Sequence, residues 1–334
     1  MKIFILSAYP EPHDFTARWL IARGKEDSFG VHQLAANPEE ADLILFAEGH
    51  TAGQPYFLGL HFHPIYRRYR KKCFLYHDED LVVPIFPGLY PSLELRDYDP
   101  SHCLGVPYMA RIADNPAATG HSPLPPDAVL FSFVGASLTH PVRNRILALN
   151  CESAVLRDTS GRQMWTLSGS EKMEYAESYR QSILSSQFIL CPRGLSPTSY
   201  RLFESMEMGR APVIISDDFT EFDGPEWSRF SVRIPECDVE RIPEILARIQ
   251  CDAAAMGMEA RRQWEKWIAP AVSFHRTCEA CLAIAASRKV TPPKSRIPVW
   301  LKFLQPRHLR NVLRFGWRNW IRRPMLRKPN AAKR

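Results

Sequence analysis

Phe188-Ile189-Leu190-Cys191-Pro192-Arg193-Gly194-Leu195-Ser196-Pro197-Thr198-Ser199-Tyr200-Arg201-Leu202-Phe203-Glu204, continued by Gly209-Arg210-Ala211-Pro212-Val213-Ile214-Ile215-Ser216-Asp217, reads as strand, turn, helix, strand. The short apolar runs at both ends suit strands buried on both faces, which are found in parallel sheets. Between them lie a Pro-Arg-Gly turn, a hydroxyl-rich loop and a helix whose first N–H groups have no partners within the helix. That end of a helix attracts anions. Arg193 can fork onto a diphosphate, while Ser196, Thr198 and Ser199 offer hydroxyls or cap the helix. Glu204, in the first turns, can accept hydrogen bonds from ribose hydroxyls. A structural explanation covers the same residues: an Arg193–Glu204 ion pair with ordinary caps. Taken alone, the stretch points to a phosphate-bearing ligand without identifying it.

The same alternation extends in both directions. Upstream lie a strand at Val129 to Gly135, a helix at Val142 to Leu149, a strand at Ala154 to Arg157 and a helix at Glu171 to Leu184. Nearer the N-terminus, Ile3 to Ala8, Asp42 to Glu48 and Lys72 to Tyr76 read as strands, and Asn37-Pro38-Glu39-Glu40 reads as a helix start with an N-cap, Pro at N1 and acids in the first turn. Four prolines between Asn115 and Asp127 mark a linker. The expected organisation is an α/β domain at 1–114, a linker at 115–127, a second α/β domain at 128–287 and a tail at 288–334. Ligands of open α/β sheets sit beyond the carboxyl ends of the strands, so the two doubly wound units would face a cleft.

Composition agrees with two globular units. The 334 residues are 45% hydrophobic and 24% charged, which excludes a disordered or collagenous chain. The apolar runs are too short to span a membrane, and the Met1 to Tyr9 run is too short for a signal h-region. The net charge of +7 is uneven. Fifteen Lys and Arg and no acid lie from Arg288 onward, leaving 28 basic and 36 acidic groups before it, a net of −8. The eight cysteines show no framework spacing. Cys278 and Cys281 form a lone C-x-x-C without a second pair, as expected of packed helix-face thiols.

In its central block the chain resembles the exostosin-like glycosyltransferases, family 47. The resemblance is carried by Cys191-Pro192-Arg193-Gly194, then Ser199, Arg201 and Glu204, then Pro212-Val213-Ile214 and Asp217. Two flanking blocks agree: Phe131-Ser132-Phe133-Val134-Gly135 with Val142-Arg143, and Glu226-Trp227-Ser228-Arg229-Phe230-Ser231-Val232-Arg233-Ile234-Pro235-Glu236. Together they span about residues 128 to 250. The resemblance implies an enzyme of GT-B-like fold that transfers sugar from a nucleotide donor, usually UDP-linked, with inversion; the lack of a signal and of a transmembrane stem, unlike Golgi-type members, makes a bacterial-type enzyme the expectation. The resemblance also implies that the second domain binds the donor, with Gly135, Arg143, Arg193, Gly194, Ser196, Thr198, Ser199, Arg201, Glu204 and Asp217 around it. Arg193 and Arg143 would neutralise the diphosphate and Glu204 would hold the ribose. Arg201 would contact phosphate or brace Glu204. With Arg, hydroxyls and a helix N-terminus stabilising the leaving group, neither cofactor nor metal is required.

Inversion needs a general base near the acceptor hydroxyl. His77, Asp78, Glu79 and Asp80 follow a strand and are the candidates, with His77, Asp78 and Asp80 preferred; solvated loop charges or a helix cap are the alternative. His61 and His63 read as surface or packing histidines, and no metal site is expected. Residues 307 to 323 can form a helix about 25 Å long, with Arg307, Arg310, Arg314, Arg318 and Arg322 on one face. Leu309, Val312, Leu313 and Trp320 lie opposite, flanked by Phe315 and Trp317. That pattern suits an anionic membrane surface, contacted by Arg310, Arg314, Trp317, Arg318 and Trp320; packing on the acidic body and nucleic-acid binding are the alternatives. The expectation is therefore a cytoplasmic enzyme, peripheral on the inner membrane face, acting on a nucleotide sugar and a glycan or lipid-linked acceptor in surface polysaccharide synthesis. No nucleic acid is expected as a partner. The rivals are a non-catalytic sugar-nucleotide-binding module and a nucleic-acid-associated protein using the tail.

Overall fold

Every side chain of β3 (Leu43–Glu48) and of β4 (Cys73–His77) is buried, on both faces of the sheet. Alternate residues feed two separate cores: Leu43, Leu45 and Ala47 pack on one face, Ile44 and Phe46 on the other. A strand apolar in both directions must be covered on both sides, and a parallel sheet with helices above and below does this. The computed structural model describes residues 1–49, 55–108, 120–161, 167–290 and 297–317.

The first sheet has the order β2-β1-β3-β4-β5-β6, all parallel. Its other strands are β1 (Lys2–Leu6), β2 (Gln33–Leu34), β5 (Gly88–Tyr90) and β6 (Cys103–Gly105). Helix α1 (Phe15–Lys25) covers one face, and the turns and helix α2 (Pro64–Tyr69) cover the other. The second sheet, also parallel, runs β11-β10-β9-β7-β8. Its strands are β7 (Val129–Gly135), β8 (Ala154–Asp158), β9 (Ser186–Pro192), β10 (Ala211–Ile215) and β11 (Val232–Arg233). Helices α3 (Pro141–Leu147) and α6 (Ile242–Arg248) cover one face. Helices α5 (Tyr200–Glu207) and α7 (Ala253–Trp267) cover the other, and α4 (Gly169–Leu184) precedes β9. The expected doubly wound pair is present. In each sheet the strand order reverses once, between β1 and β3 and between β7 and β9, and such switch points are where ligands enter.

Two expectations change. Asn37 accepts a hydrogen bond from the Glu40 amide at 3.0 Å, but the chain makes only a turn there before entering β3. Helix α8 (Pro270–Val290), placed in the second unit by the sequence, packs on the first sheet. Phe274, Cys278, Cys281 and Ile284 join the core of Ile3, Ile5, Leu45 and Phe74. Its cysteines are thus packed thiols, and the helix straps one unit to the other.

Short polar contacts fix the junction. Glu94 forms an antiparallel bridge with Phe219, the Leu95 amide donates to the Asp218 carbonyl at 3.0 Å, and the Thr220 hydroxyl donates to the Leu93 carbonyl at 2.9 Å. The Glu94 carboxylate also gathers Arg96 at 2.6 Å, Lys302 at 3.2 Å and Arg307. Lys302 and Arg307 belong to the tail, which runs through α9 (Ile297–Leu301) into α10 (Pro306–Gly316). Burial alone would raise the Glu94 pKa, but the hydrogen bonds from Arg307 and Arg96 and the Lys302 charge outweigh it and hold it at about 2. Removing one partner of such a network leaves buried charge uncompensated. Glu94→Ala should therefore loosen the tail, and limited trypsin digestion should nick residues 297–317 several times faster than in the parent; equal rates would refute the anchoring role.

Candidate active site

At the carboxyl edge of the second sheet, Gly135 pairs with Asp158 and Pro192 pairs with Ile215, so the chain leaves four adjacent strands on one side. A Cβ at Gly135 would lie 2.7 Å from the Arg201 guanidinium, so this glycine makes room for an arginine. Arg201 donates to the Val134 carbonyl and lies over the Phe133 ring, 4.8 Å from its centroid. Arg143 donates to the carbonyls of Arg193 (2.8 Å), Ala136 (3.1 Å) and Pro192 (3.2 Å). Burial, then the nearby Arg201 charge, lowers its pKa to about 9. Arg143 and Arg201 thus brace the backbone around the turn, and Gly135 leaves room for Arg201. Gly194 is small for the same reason, since a Cβ there would sit 2.9 Å from Arg143 and 3.2 Å from the Thr139 hydroxyl.

Arg193 occupies the front of the turn. It is 8% exposed, with one terminal nitrogen 2.9 Å from Asp218 and 3.6 Å from Glu236. Its Nε is buried and has no partner among the described residues. The Arg193–Glu204 pair offered as the structural alternative does not form. Glu204 instead accepts a hydrogen bond from the Tyr179 hydroxyl and acts electrostatically on Arg201. The Ser196 hydroxyl accepts from the Thr198 amide at 3.1 Å, while Ser199 takes the N-cap position of α5 without a side-chain bond. Asp217 is exposed and braces a turn, accepting from the Glu236 amide at 3.0 Å; its neighbour Asp218 meets the arginine.

Tyr108, not singled out in the sequence, joins the two units. Its hydroxyl lies in hydrogen-bond reach of the Asp80 carboxylate at 3.1 Å, of the Ser196 hydroxyl at 3.2 Å and of Ser92, and its ring packs against Tyr200 with centroids 4.0 Å apart. Asp80 is half-buried and its charge acts on Arg143, on the side of the Arg193 turn. The other two base candidates are placed differently. His77 is 1% exposed, wedged between Phe57 and Tyr90 with ring centroids at 4.7 and 5.6 Å. Burial lowers its pKa to about 4, so it is a neutral packing group, not a cleft base. Asp78 is fully buried behind the strand end, and its amide donates to the Glu48 carbonyl. His61 and His63 pack against Phe86 and Phe46, as expected of packing histidines.

Glu48 ends β3 beside His77 at the switch point of the first sheet. It is fully buried and accepts from the Ala8 amide and the Ser7 hydroxyl, both at 2.7 Å. Burial raises its pKa to about 7 despite those two hydrogen bonds. Since the folded value lies above the unfolded one, its contribution to stability is complete below about pH 4.5 and is lost as pH rises through 7. Glu48→Gln should remove roughly 3 kcal/mol of pH dependence between pH 4.5 and 8; denaturant titrations at the two ends with an unchanged difference would refute this.

Arg193 and Gly194 line a cavity of about 370 Å³ between the units, together with Thr139, His140 and Leu81. Arg307, Arg310 and Arg314 of α10 form its other wall. The tail helix is thus docked on the body, with His308 1% exposed and Val312 in the first unit's core. Arg318 and Trp320 lie outside the described residues. A second cavity of about 400 Å³ lies between Pro107, Phe222 and Trp267 and is lined by none of the signature residues. His275 and Glu279 line it, and with His32 they bring their ligand atoms within 4.8 Å of one another, the one grouping among the described residues able to hold a metal; none of the three lines the Arg193 cavity. No described helix is long and apolar enough to cross a membrane.

Residues 91–249 match the model of the Exostosin GT47 domain, beginning well before the block legible in the sequence. A probable glucuronosyltransferase of Oryza sativa subsp. japonica is 28% identical over 191 residues, 54% of this chain and 44% of the relative. A probable glucuronoxylan glucuronosyltransferase of Arabidopsis thaliana is 31% identical over 112 residues, 32% and 23% of the two chains. The chain therefore matches less than half the length of these relatives. Among solved structures, Acinetobacter baumannii MurG aligns with a TM-score of 0.32 and 10% identity over 67% of this chain and 70% of its own. For TarM the TM-score is 0.39, with 8% identity over 80% and 58%. The Cys191-Pro192-Arg193-Gly194 turn lies within the matched span at the switch point of the second sheet, and residues 91–249 are an exostosin-type domain of glycosyltransferase family 47.

Proposed function

We propose that the protein is an inverting glycosyltransferase that moves a sugar from a nucleotide donor, UDP-linked, to a glycan or lipid-linked saccharide. The observation that carries this is a buried arginine with an unanswered Nε–H, Arg193, on one unit, and a carboxylate of the other unit, Asp80, that Tyr108 bridges to Ser196 of the same turn. Arg193 and the Gly194 turn would receive the developing diphosphate charge, with the arginine already oriented by Asp218 and Glu236 before the charge develops. Asp80 would take the proton of the attacking hydroxyl. Glu204, held by Tyr179, would keep Arg201 and the turn in place. Arginine and hydroxyl donors supply the charge compensation, so turnover should persist in EDTA. Incubation with a panel of UDP-, GDP- and dTDP-sugars should give slow nucleotide release with at least one of them; no release and no saturation-transfer signal with any would end this reading.

We further propose that the protein sits peripherally on the cytoplasmic face of a membrane. Leu309 and Leu313 of α10 and Trp317 at its C-cap, four residues apart, are exposed along one face, and Ile297, Leu301 and Leu304 earlier in the tail are exposed too. Arg310 and Arg314 face the cavity, so apolar insertion would carry this contact more than the arginines do. Leu313→Glu with Trp317→Glu should abolish flotation with anionic vesicles; undiminished flotation would exclude this surface.

A further inference from the structure

Helix α10 presents three faces to three surroundings. His308 and Val312 pack on the first unit, His308 sharing a 2.7 Å hydrogen bond with the Tyr56 hydroxyl. Leu309, Leu313 and Trp317 are 39%, 62% and 57% exposed along another face. Arg310 and Arg314 form the third and line the 370 Å³ cavity opposite Thr139, His140, Arg193 and Gly194.

The cations around this cavity are not equally answered. Arg307 is held by Glu94, and Arg193 by Asp218 and Glu236. Arg310 and Arg314 have no ion pair or side-chain hydrogen bond among the described residues. Across the cavity, Arg193 Nε and Thr139 Oγ1 are buried without partners among those residues. Buried polar atoms without partners are costly, and the two arginines opposite them are exposed like charges, so an anion between the walls would answer both. A donor diphosphate seated on the Arg193 turn answers one wall. The opposite wall still presents two cations, on a helix whose neighbouring face is bare hydrocarbon.

We infer that this second wall binds the acceptor, and that the acceptor class is a lipid-linked diphosphate: its diphosphate held by Arg310 and Arg314, its hydrocarbon chain lying along Leu309, Leu313 and Trp317. The inference rests on the glycosyltransferase reading for the word acceptor, but the binding it describes is independent of the donor. A neutral glycan could hydrogen-bond the arginines but would leave their charge unanswered and Leu309 and Leu313 uncovered. One helix supplies both halves of the recognition, because residues three and four apart share a face and adjacent faces lie within one side-chain length of each other.

The test is titration of the full chain with farnesyl diphosphate, inorganic pyrophosphate and farnesol, with and without saturating UDP. Farnesyl diphosphate should bind in the presence of UDP, with pyrophosphate and farnesol each weaker by roughly tenfold or more. In the Arg310→Ala/Arg314→Ala variant its affinity should fall by roughly tenfold or more while UDP affinity stays within about twofold; the corresponding Lys pair should retain most of the binding. Unchanged farnesyl diphosphate affinity in the Ala pair, competition by UDP, or pyrophosphate binding as tightly as the lipid would each overturn the inference. Lipid binding through Arg310 and Arg314 without any sugar-nucleotide binding would uphold it and defeat the donor reading. UDP binding without lipid binding would do the reverse.

Discussion

Arg193→Ala should weaken UDP binding by roughly ten- to a hundredfold, the effect of losing a charge-assisted contact of about 1.5 to 3 kcal/mol. The size follows from its setting. Arg193 is buried and lines the cavity, and its Nε has no partner among the described residues. Its terminal nitrogen is tied to Asp218 and Glu236, so the side chain is already oriented before a ligand arrives. A pre-oriented donor loses little freedom on binding, unlike an exposed arginine that must be ordered first. Arg193→Lys should recover only part of the loss, because a lysine cannot hold the two acidic neighbours and present a forked donor at once. Calorimetry with UDP decides this, and an affinity within about twofold of the parent would show that the diphosphate lies elsewhere.

Asp80→Asn should lower kcat by roughly a hundred- to ten-thousandfold, the range for loss of a positioned general base, with UDP affinity unchanged. The asparagine keeps the Tyr108 hydrogen bond and the shape of the site but cannot accept a proton. Asp80 is set apart from its neighbours by position: it is half-buried, whereas His77 sits in an aromatic box and Asp78 behind the strand end. His77→Gln should cost stability and leave kcat nearly intact. If Asp80→Asn retained more than about a tenth of parental kcat at saturating substrates, another group would be the base.

How far the sequence could be read depended on the range of the interactions. Both sheets were visible because their central strands are apolar on both faces, and a continuous apolar run between turn residues survives any uncertainty about neighbours. Strands β2, β5, β6 and β11, two or three residues long, have no period to detect and exist only because longer strands template them. The Cys191 to Glu204 stretch located the turn, but residue type and spacing did not show that Arg143 would spend its donors on carbonyls or that Gly135 would house Arg201. Among the run His77 to Asp80, the facing residue was set by where β4 ends and where Tyr108 returns, neither of which is encoded in the run itself. Tyr108 follows a short stretch with no hydrophobic period and carried no local signal; only its contact with Ser196, 88 residues away, gives it meaning. The tail was legible as an amphipathic helix, yet the face that docks is chosen by Glu94, 213 residues from Arg307.

The central claim is that a nucleoside diphosphate lies between the Arg193 turn and Asp80. A crystal structure of the full chain with UDP tests it most directly. The diphosphate should lie within hydrogen-bond distance, about 3 Å, of Arg193 Nε, with the Asp80 carboxylate across the cleft from it. UDP bound away from Arg193, or a cleft still empty at saturating UDP, would contradict it.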